Sequence, residues 1–383
     1  MNRKERLYRT LEGKAVDRPA VNFYEINGFT QNPDDPNPFN IFNHPSWKPL
    51  LELAREKSDR IIMRGMPFKK RDGESGKWKA MPELEAKTER TLDENGSEIT
   101  VSSIRAGKRV LTQRTKRDRD IDTVWTTEHL LKDVDDFKAW LDLPEDQTGL
   151  GEVDTDSTID LEEKIGDSGI VMIDCSDPLC GVAPLFDMGE YTIIAMTEQE
   201  LFHKALQRKA RELYPQIEAV AKALPGRLWR IYGPEYASPP YLPPALFHEY
   251  VTEYVKPIVA SIHKYGGFAR IHCHGNLKAI LDEIMETGAA GLDPVEPPPQ
   301  GDVDLSYVRE KYGKQLVLFG NLEASDLENL ETEAFRSKVR RALDEGTRGE
   351  GRGFVLMPSS CPYGRKLTAK AMRNYEVMIE ACV

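Results

Sequence analysis

The feature that most constrains this chain is a recurring unit: a short apolar run, a polar residue at its end, a loop and a helical pattern. Eight runs have the β-branched or aromatic content typical of strands buried on both faces. They span residues 20–23, 60–63, 169–173, 228–232, 268–271, 291–293, 316–319 and 354–357. Helical patterns separate them from the third run onward, as at 198–224, 244–265, 277–286 and 332–345. Because parallel strands need a crossover that a helix usually fills, the units predict an α/β fold, a (β/α)8 or TIM barrel.

Two segments lie outside the repeat, within what we expect to be a single domain spanning residues 1–383. Residues 1–18 predict an amphipathic helix ahead of the barrel. Residues 65–165 are too long for a simple crossover, and the sequence Asp-Glu-Asn-Gly at 93–96 predicts a tight turn between Thr-rich strands at 87–92 and 98–104. A third strand is expected at 109–114, and helices are expected around 127–141. The sequence therefore predicts that this segment is a β-hairpin region inserted into the barrel.

Composition narrows the class of protein. The formal net charge of -11 argues against nucleic-acid binding, which favours a basic face. The five cysteines are odd in number and irregular in spacing, unlike a secreted disulfide framework. No run approaches the ~18 apolar residues of a membrane span. We therefore expect a cytoplasmic protein with reduced thiols available as metal ligands or nucleophiles.

A candidate metal site lies at the ends of two predicted strands. His272 and His274 are two residues apart at the end of the fifth strand, and residues i and i+2 of an extended segment point the same way, leaving Cys273 to face away. Cys361 ends the eighth strand and could add a thiolate from across the barrel mouth, although a buried inert thiol is the alternative. Imidazole and thiolate groups that converge tetrahedrally are typical zinc ligands.

Polar residues at other strand ends are further candidates, because these ends face the active site of a barrel. The candidate catalytic groups are Glu235, Asp174 and Glu25, with Glu296 as a further carboxylate ligand or base. The candidate substrate-binding groups are Tyr236 and Tyr241 as aromatic walls, Asn321, and Arg64 as a partner for a carboxylate. Asn276 is expected to cap the helix that follows the histidines.

These residues carry a family resemblance. The chain resembles the uroporphyrinogen decarboxylase superfamily and, within it, the cobamide-dependent methyltransferase branch. Residues 3–19 are similar to the family's opening pattern, RERxxxxLxGxxxDRxP, and residues 314–322 to a later family strand. His272-Cys273-His274-Gly275 is similar to the methyltransferase HxCG element, except that His274 stands where that branch has cysteine. Cys361 matches the later family cysteine.

The resemblance implies a TIM barrel that binds Zn²⁺ through His272, His274 and Cys361. It also implies methyl transfer to or from the cobalt of a corrinoid (cobalamin) carried by a partner protein, which would dock at the barrel mouth. An imidazole in place of a thiolate makes the site less electron-rich, which favours O-demethylation of a methoxy compound. The alternatives are a methylcorrinoid-to-thiol or tetrahydrofolate methyltransferase, a uroporphyrinogen-type decarboxylase, and a non-catalytic metal-binding accessory protein. The decarboxylase signature PVWxMRQAGR carries two arginines that residues 19–29 lack. A homodimer is one possible assembly.

Overall fold

The computed structural model describes residues 1–69, 85–145 and 150–382. The strands of these residues are β1 (Ala20–Val21), β2 (Arg60–Gly65), β3 (Ala86–Leu92), β4 (Glu98–Ala106), β5 (Arg109–Arg117), β6 (Val124–Glu128), β7 (Gly169–Ser176), β8 (Leu228–Tyr232), β9 (Phe268–Cys273), β10 (Gly291–Pro294), β11 (Val317–Leu322) and β12 (Phe354–Pro358). The α-helices are α1 (Arg3–Leu11), α2 (Lys48–Lys57), α3 (Val134–Leu141), α4 (Thr155–Ile165), α5 (Met188–Thr197), α6 (Gln199–Ala223), α7 (Pro244–Phe247), α8 (Glu253–Lys264), α9 (Leu281–Glu286), α10 (Leu305–Tyr312), α11 (Ala324–Asn329), α12 (Thr332–Thr347) and α13 (Ala369–Cys382).

Eight parallel strands form the main sheet, in the order β1-β12-β11-β10-β9-β8-β7-β2. The first and last strands of this order, β1 and β2, are connected by hydrogen bonds of Asp59, the residue that precedes β2. The backbone N–H of Asp59 donates to the carbonyl of Val21 at 2.7 Å, and the side-chain amide of Asn22 donates to the Asp59 carbonyl at 3.0 Å. The predicted α/β fold, a (β/α)8 barrel with all eight strands in the expected order, is confirmed.

Residue alternation along the strands separates the barrel interior from its outer layer. In β9, Phe268 packs with the interior residues, whereas Ala269, Ile271 and Cys273 belong to the larger core between sheet and helices. The predicted N-terminal helix, α1, closes the end of the barrel away from the carboxyl ends of the strands, where its Leu7 and Leu11 pack against interior side chains. Apolar side chains therefore fill the barrel at the α1 end, and the polar side chains lie at the other end, the barrel mouth.

One predicted helix start is wrong. The helix after the histidines begins at Leu281 and not at residue 277, so Asn276 is not its N-cap. The chain between them is held as a turn, because the Asp302 carboxylate accepts the backbone N–H of Lys278 at 2.9 Å and Gly275 takes a φ of 90°. Long-range contacts outweigh the local capping signal here.

The inserted region forms a separate antiparallel sheet, in the order β3-β4-β5-β6. The predicted turn at 93–96 is present, with Asp93 Oδ1 accepting the backbone N–H groups of Asn95 and Ser97 at 2.9 Å each. A fourth strand, β6, was not expected, and α3 begins only at Val134. Residues 70–84 and 146–149 of the predicted insertion lie outside the described residues.

In the described ranges, no single helix has the length and apolar character needed to cross a membrane. A bent pair, Leu179–Leu185 with Met188–Thr197, meets the length and composition requirements jointly, at an angle of 119°.

Candidate active site at the barrel mouth

His272 and His274 stand together where β9 ends. Their ring centroids are 4.6 Å apart and their planes are perpendicular. The Nδ1 atom of His272 lies 2.8 Å from Asp293 Oδ2, and that of His274 lies 2.8 Å from Glu296 Oε1. A carboxylate on Nδ1 favours the tautomer whose Nε2 lone pair is free, and this pairing is common among metal-binding histidines. The two Nε2 atoms are thus the nitrogens available to a ligand.

The carboxylate that holds His272, Asp293, also belongs to a buried ion pair with Arg270. Arg270 Nε lies 2.9 Å from Asp293 Oδ1, and both side chains are almost completely buried. Burial alone would raise the pKa of Asp293, but the Arg270 charge and the bond to His272 hold it below its usual value. Asp293 therefore stays ionised and fixes the His272 ring. Sequence reasoning missed this group, although an arginine in the middle of an apolar strand is a signal for an inward-facing charge.

Glu296 holds His274 in a similar way. Its Oε2 accepts the backbone N–H of Gly275 at 2.8 Å while its Oε1 faces His274. Burial tends to lower the pKa of His274, but the Glu296 carboxylate outweighs it and the net shift is upward. The preceding residue, Val295, has a φ of 53°, a strained conformation for a β-branched residue. The backbone is therefore strained at the residue directly before the carboxylate that holds His274.

Cys361 lies beside a second strand-end carboxylate. Its thiol donates to Glu25 Oε2 at 3.4 Å. Burial, and then the negative charge of Glu25, raise the pKa of this thiol well above its usual value. Tyr24, which precedes Glu25, also has a positive φ, 54°, so both strained non-glycine residues of the described chain come directly before mouth carboxylates. Cys361 is therefore a thiol here, hydrogen-bonded to a carboxylate.

The three predicted zinc ligands are all at the barrel mouth but are not drawn tightly together. Within residues 1–69, 85–145 and 150–382, the group of three possible ligand atoms within 4.8 Å of one another is a different one, His248, Glu253 and Glu286. Lys256 forms ion pairs of 2.7 and 2.6 Å with these two glutamates, so this surface group already has a cationic partner. The donor types of His272, His274 and Cys361 nevertheless suit zinc: two imidazoles and one thiol. Cys273, by contrast, is fully buried in the outer core.

The other predicted catalytic groups are also near the strand ends. Asp174 is engaged on both oxygens by Arg230, at 2.6 and 2.9 Å. Glu235 lies in the turn after β8, where its Oε2 accepts the backbone N–H of Gly233 at 2.9 Å. Arg230 also donates to the buried Tyr24 hydroxyl and stands 4.0 Å from Glu25. Glu25, which follows β1, and Asp174 of β7 therefore share one buried arginine of β8.

The predicted substrate-binding groups divide into two sets. Asn321 is the last but one residue of β11 and lines a cavity beside the mouth. Tyr236 is half-buried and Tyr241 is exposed, both on the loop after β8. Arg64, however, donates to Thr158 at 2.8 Å and Ser157 at 3.1 Å, both on α4. The structure does not bring Arg64 to the site, because its position in β2 places it on the outward-facing side with Ile62.

Fold and site together define a (β/α)8-barrel protein whose titratable side chains gather at the carboxyl ends of its strands, where barrel enzymes have their active sites. The family model for uroporphyrinogen decarboxylase (URO-D) matches residues 186–380, just over half of the chain, and the chain belongs to this family. A comparison with curated proteins gives no significant match.

A solved methyltransferase structure shares the fold. A methyltransferase from Methanosarcina mazei superposes with a TM-score of 0.59 at 14% identity, covering 100% of this chain and 99% of the other. A D-psicose 3-epimerase with D-fructose gives a TM-score of 0.30 at 10% identity, with coverage of 55% and 86%. The D-psicose 3-epimerase from Clostridium cellulolyticum H10 with D-tagatose gives 0.31 at 10% identity, with coverage of 60% and 92%.

Proposed function

We propose that this protein is a zinc-dependent methyltransferase that moves a methyl group from a methoxy compound to the cobalt of a corrinoid carried by a partner protein. The observation that carries the proposal is the pair of histidines whose Nδ1 atoms are both held by carboxylates, Asp293 and Glu296. This pairing leaves two Nε2 atoms side by side at a barrel mouth. Membership of the URO-D family and the fold shared with a methyltransferase support the same assignment.

His272, His274 and Cys361 would hold the zinc ion, and their side chains would have to move together to do so. A bound zinc ion would supply Lewis-acid polarisation of the substrate oxygen. The chain's own groups prepare the site. Asp293 and Glu296 orient the two rings. Glu25 accepts the hydrogen bond of the Cys361 thiol, whose proton must leave before the sulfur can bind a metal.

The arginines of the barrel interior favour methyl transfer over decarboxylation of a polycarboxylate. Arg230 is bound on two nitrogens by Asp174, and Arg270 is fully buried against Asp293. Neither guanidinium is left to bind a substrate carboxylate. A neutral methylated substrate needs no such partner, because only its ether oxygen must reach the site.

The proposal is tested by measuring zinc content and cob(I)alamin methylation on the same purified protein. Methoxyaromatics, methylamines, methanol and thiols would be screened as separate substrates. We expect one zinc per chain and methylation from methoxyaromatics, both lost in H272A. The matched control is C273A, which changes the neighbouring residue in the outer core and should keep both properties. Zinc-free protein with full activity, or no cobalt methylation from any substrate, would refute the proposal.

A further inference from the structure

Glu323 is a buried carboxyl at the barrel mouth that contacts neither the two histidines nor Cys361 through a hydrogen bond. It follows β11 directly and is 6% exposed. The strand order places β11 between β10 and β12. Glu323 therefore stands in the arc of the mouth that separates His274, after β9, from Cys361, after β12.

The hydrogen bonds of Glu323 leave one oxygen without a partner. The Ser359 hydroxyl accepts the backbone N–H of Ala324 at 3.1 Å and donates to Glu323 Oε2 at 3.3 Å. Oε1 is buried, and no described residue makes a hydrogen bond to it. Glu296, one strand away, differs because donors occupy both of its oxygens. A buried carboxylate oxygen without a donor is costly, whereas a protonated carboxyl turns the same atom into a donor for a ligand.

The charges around Glu323 favour the protonated form. Burial, and then the negative charge of Glu296, raise the pKa of Glu323 to about 7. Asp326 acts in the same direction, while the bond from Ser359 and the charge of His274 act against it. A carboxyl that holds its proton near neutral pH is suited to general acid catalysis.

A cavity of about 70 Å³, partly open to solvent, adjoins this carboxyl. Glu323 and Asn321 line it together with the apolar side chains of Leu322, Phe335 and Ala342.

The cations of the cavity are already neutralised. Lys338 is paired with Asp326, and Arg341 lies 2.6 Å from Glu345 and 3.1 Å from Asp304. Apart from these ion pairs, the cavity therefore offers apolar contact and the polar groups of Asn321 and Glu323. A neutral molecule with a hydrogen-bonding oxygen fits this surface better than an anion.

We propose that Glu323 is a catalytic acid that protonates the oxygen of a neutral methoxy substrate, whose remainder lies in the adjoining cavity. The inference rests on the proposed function. In the step, cobalt(I) of the corrinoid supplies the electron pair that forms the new bond to the methyl carbon. The methyl–oxygen bond breaks, its electrons remain on oxygen, and the proton of Glu323 Oε1 joins that oxygen to give a neutral alcohol or phenol.

The first test compares leaving groups. Anisole and 4-nitroanisole would be demethylated by the zinc-loaded wild type and by E323Q, with cob(I)alamin as acceptor. General acid catalysis is worth roughly 10²–10⁴-fold, so E323Q should lose activity on this scale with anisole. The loss should be much smaller with 4-nitroanisole, whose phenolate leaves without help. The control is E328Q, which changes another half-buried glutamate, on α11, that does not line the cavity; it should leave both rates unchanged.

Equal losses with both ethers in E323Q would overturn the acid role while the proposed function stands. No turnover of either ether by the wild type would instead refute the proposed function, and this inference with it.

A second readout needs no activity. In pH-difference infrared spectra of metal-free protein, the wild type should show a protonated-carboxyl band that titrates near pH 7 and is absent from E323Q but kept in E328Q. A band unchanged by E323Q would mean that Glu323 holds no proton there, and would overturn the assignment.

Discussion

Replacing Asp293 by asparagine tests the charge arrangement beneath the two histidines. The carboxylate is fully buried, 2.9 Å from Arg270 Nε and 2.8 Å from His272 Nδ1. Asparagine keeps the size of the side chain but removes its charge, which leaves the Arg270 guanidinium buried without a counter-ion. Removing one partner of a buried ion pair costs about 3–5 kcal/mol. We expect the low end of this range, because the asparagine carbonyl can still accept a hydrogen bond from His272.

Urea unfolding of the metal-free protein, followed by circular dichroism, measures this cost. The midpoint should fall in D293N while the slope with urea stays the same, since the surface exposed on unfolding does not change. Zinc affinity should also fall, by about 10–100-fold, because the carboxylate that orients a metal-binding histidine is lost. D34N, which removes an exposed carboxylate without an ion pair in the described chain, should change neither quantity.

A double variant separates the two effects. Replacing Arg270 by methionine and Asp293 by leucine removes both buried charges, and well-packed apolar pairs are often as stable as the ion pair that they replace. Stability should then largely return while zinc affinity stays low. An unchanged midpoint in D293N would refute the view that Asp293 compensates the Arg270 charge, and normal zinc affinity would refute its role in orienting His272.

Three further predictions concern the mouth. Glu296→Gln should lower zinc affinity about 10–100-fold in a competitive chelator titration, without changing the circular dichroism spectrum, because only the orientation of His274 is lost; unchanged affinity would contradict this. Glu323 has a folded-state pKa of about 7 against an ordinary 4.5, so the folded protein binds its proton more tightly. Its contribution to the free energy of unfolding is complete below about pH 4.5 and is lost as the pH rises to about 7. In urea titrations, wild type should therefore lose stability relative to E323Q across that window, and a parallel dependence would exclude the shift. Gly320→Ala should destabilise the protein by about 1–3 kcal/mol, because Gly320 has a φ of 148° and a Cβ there would lie 2.1 Å from the Pro294 carbonyl oxygen. Gly65→Ala, with open space around its Cβ, is the control for thermal unfolding.

The eight barrel strands were predictable because each is a short apolar run bounded by turn residues, and that pattern is local. The inward direction of His272 followed from strand alternation, as did the burial of Cys273 in the outer core. The start of α9 and the outward direction of Arg64 were not predictable in this way. The first depends on Asp302, which is distant in sequence, and the second on which face of β2 turns inward.

The sequence by itself determined the fold class, the strand order and the three candidate zinc ligands, since these depend on periodicity and on residue type at strand ends. Only the tertiary structure decided which carboxylates hold the histidines, because Asp293 and Glu296 come from the neighbouring strand and its loop. It alone also singled out Glu323, since an oxygen without a hydrogen-bond donor is recognised only when its surroundings are known. Electrostatic environment depends on long-range packing, and packing of that kind leaves no local pattern in a sequence.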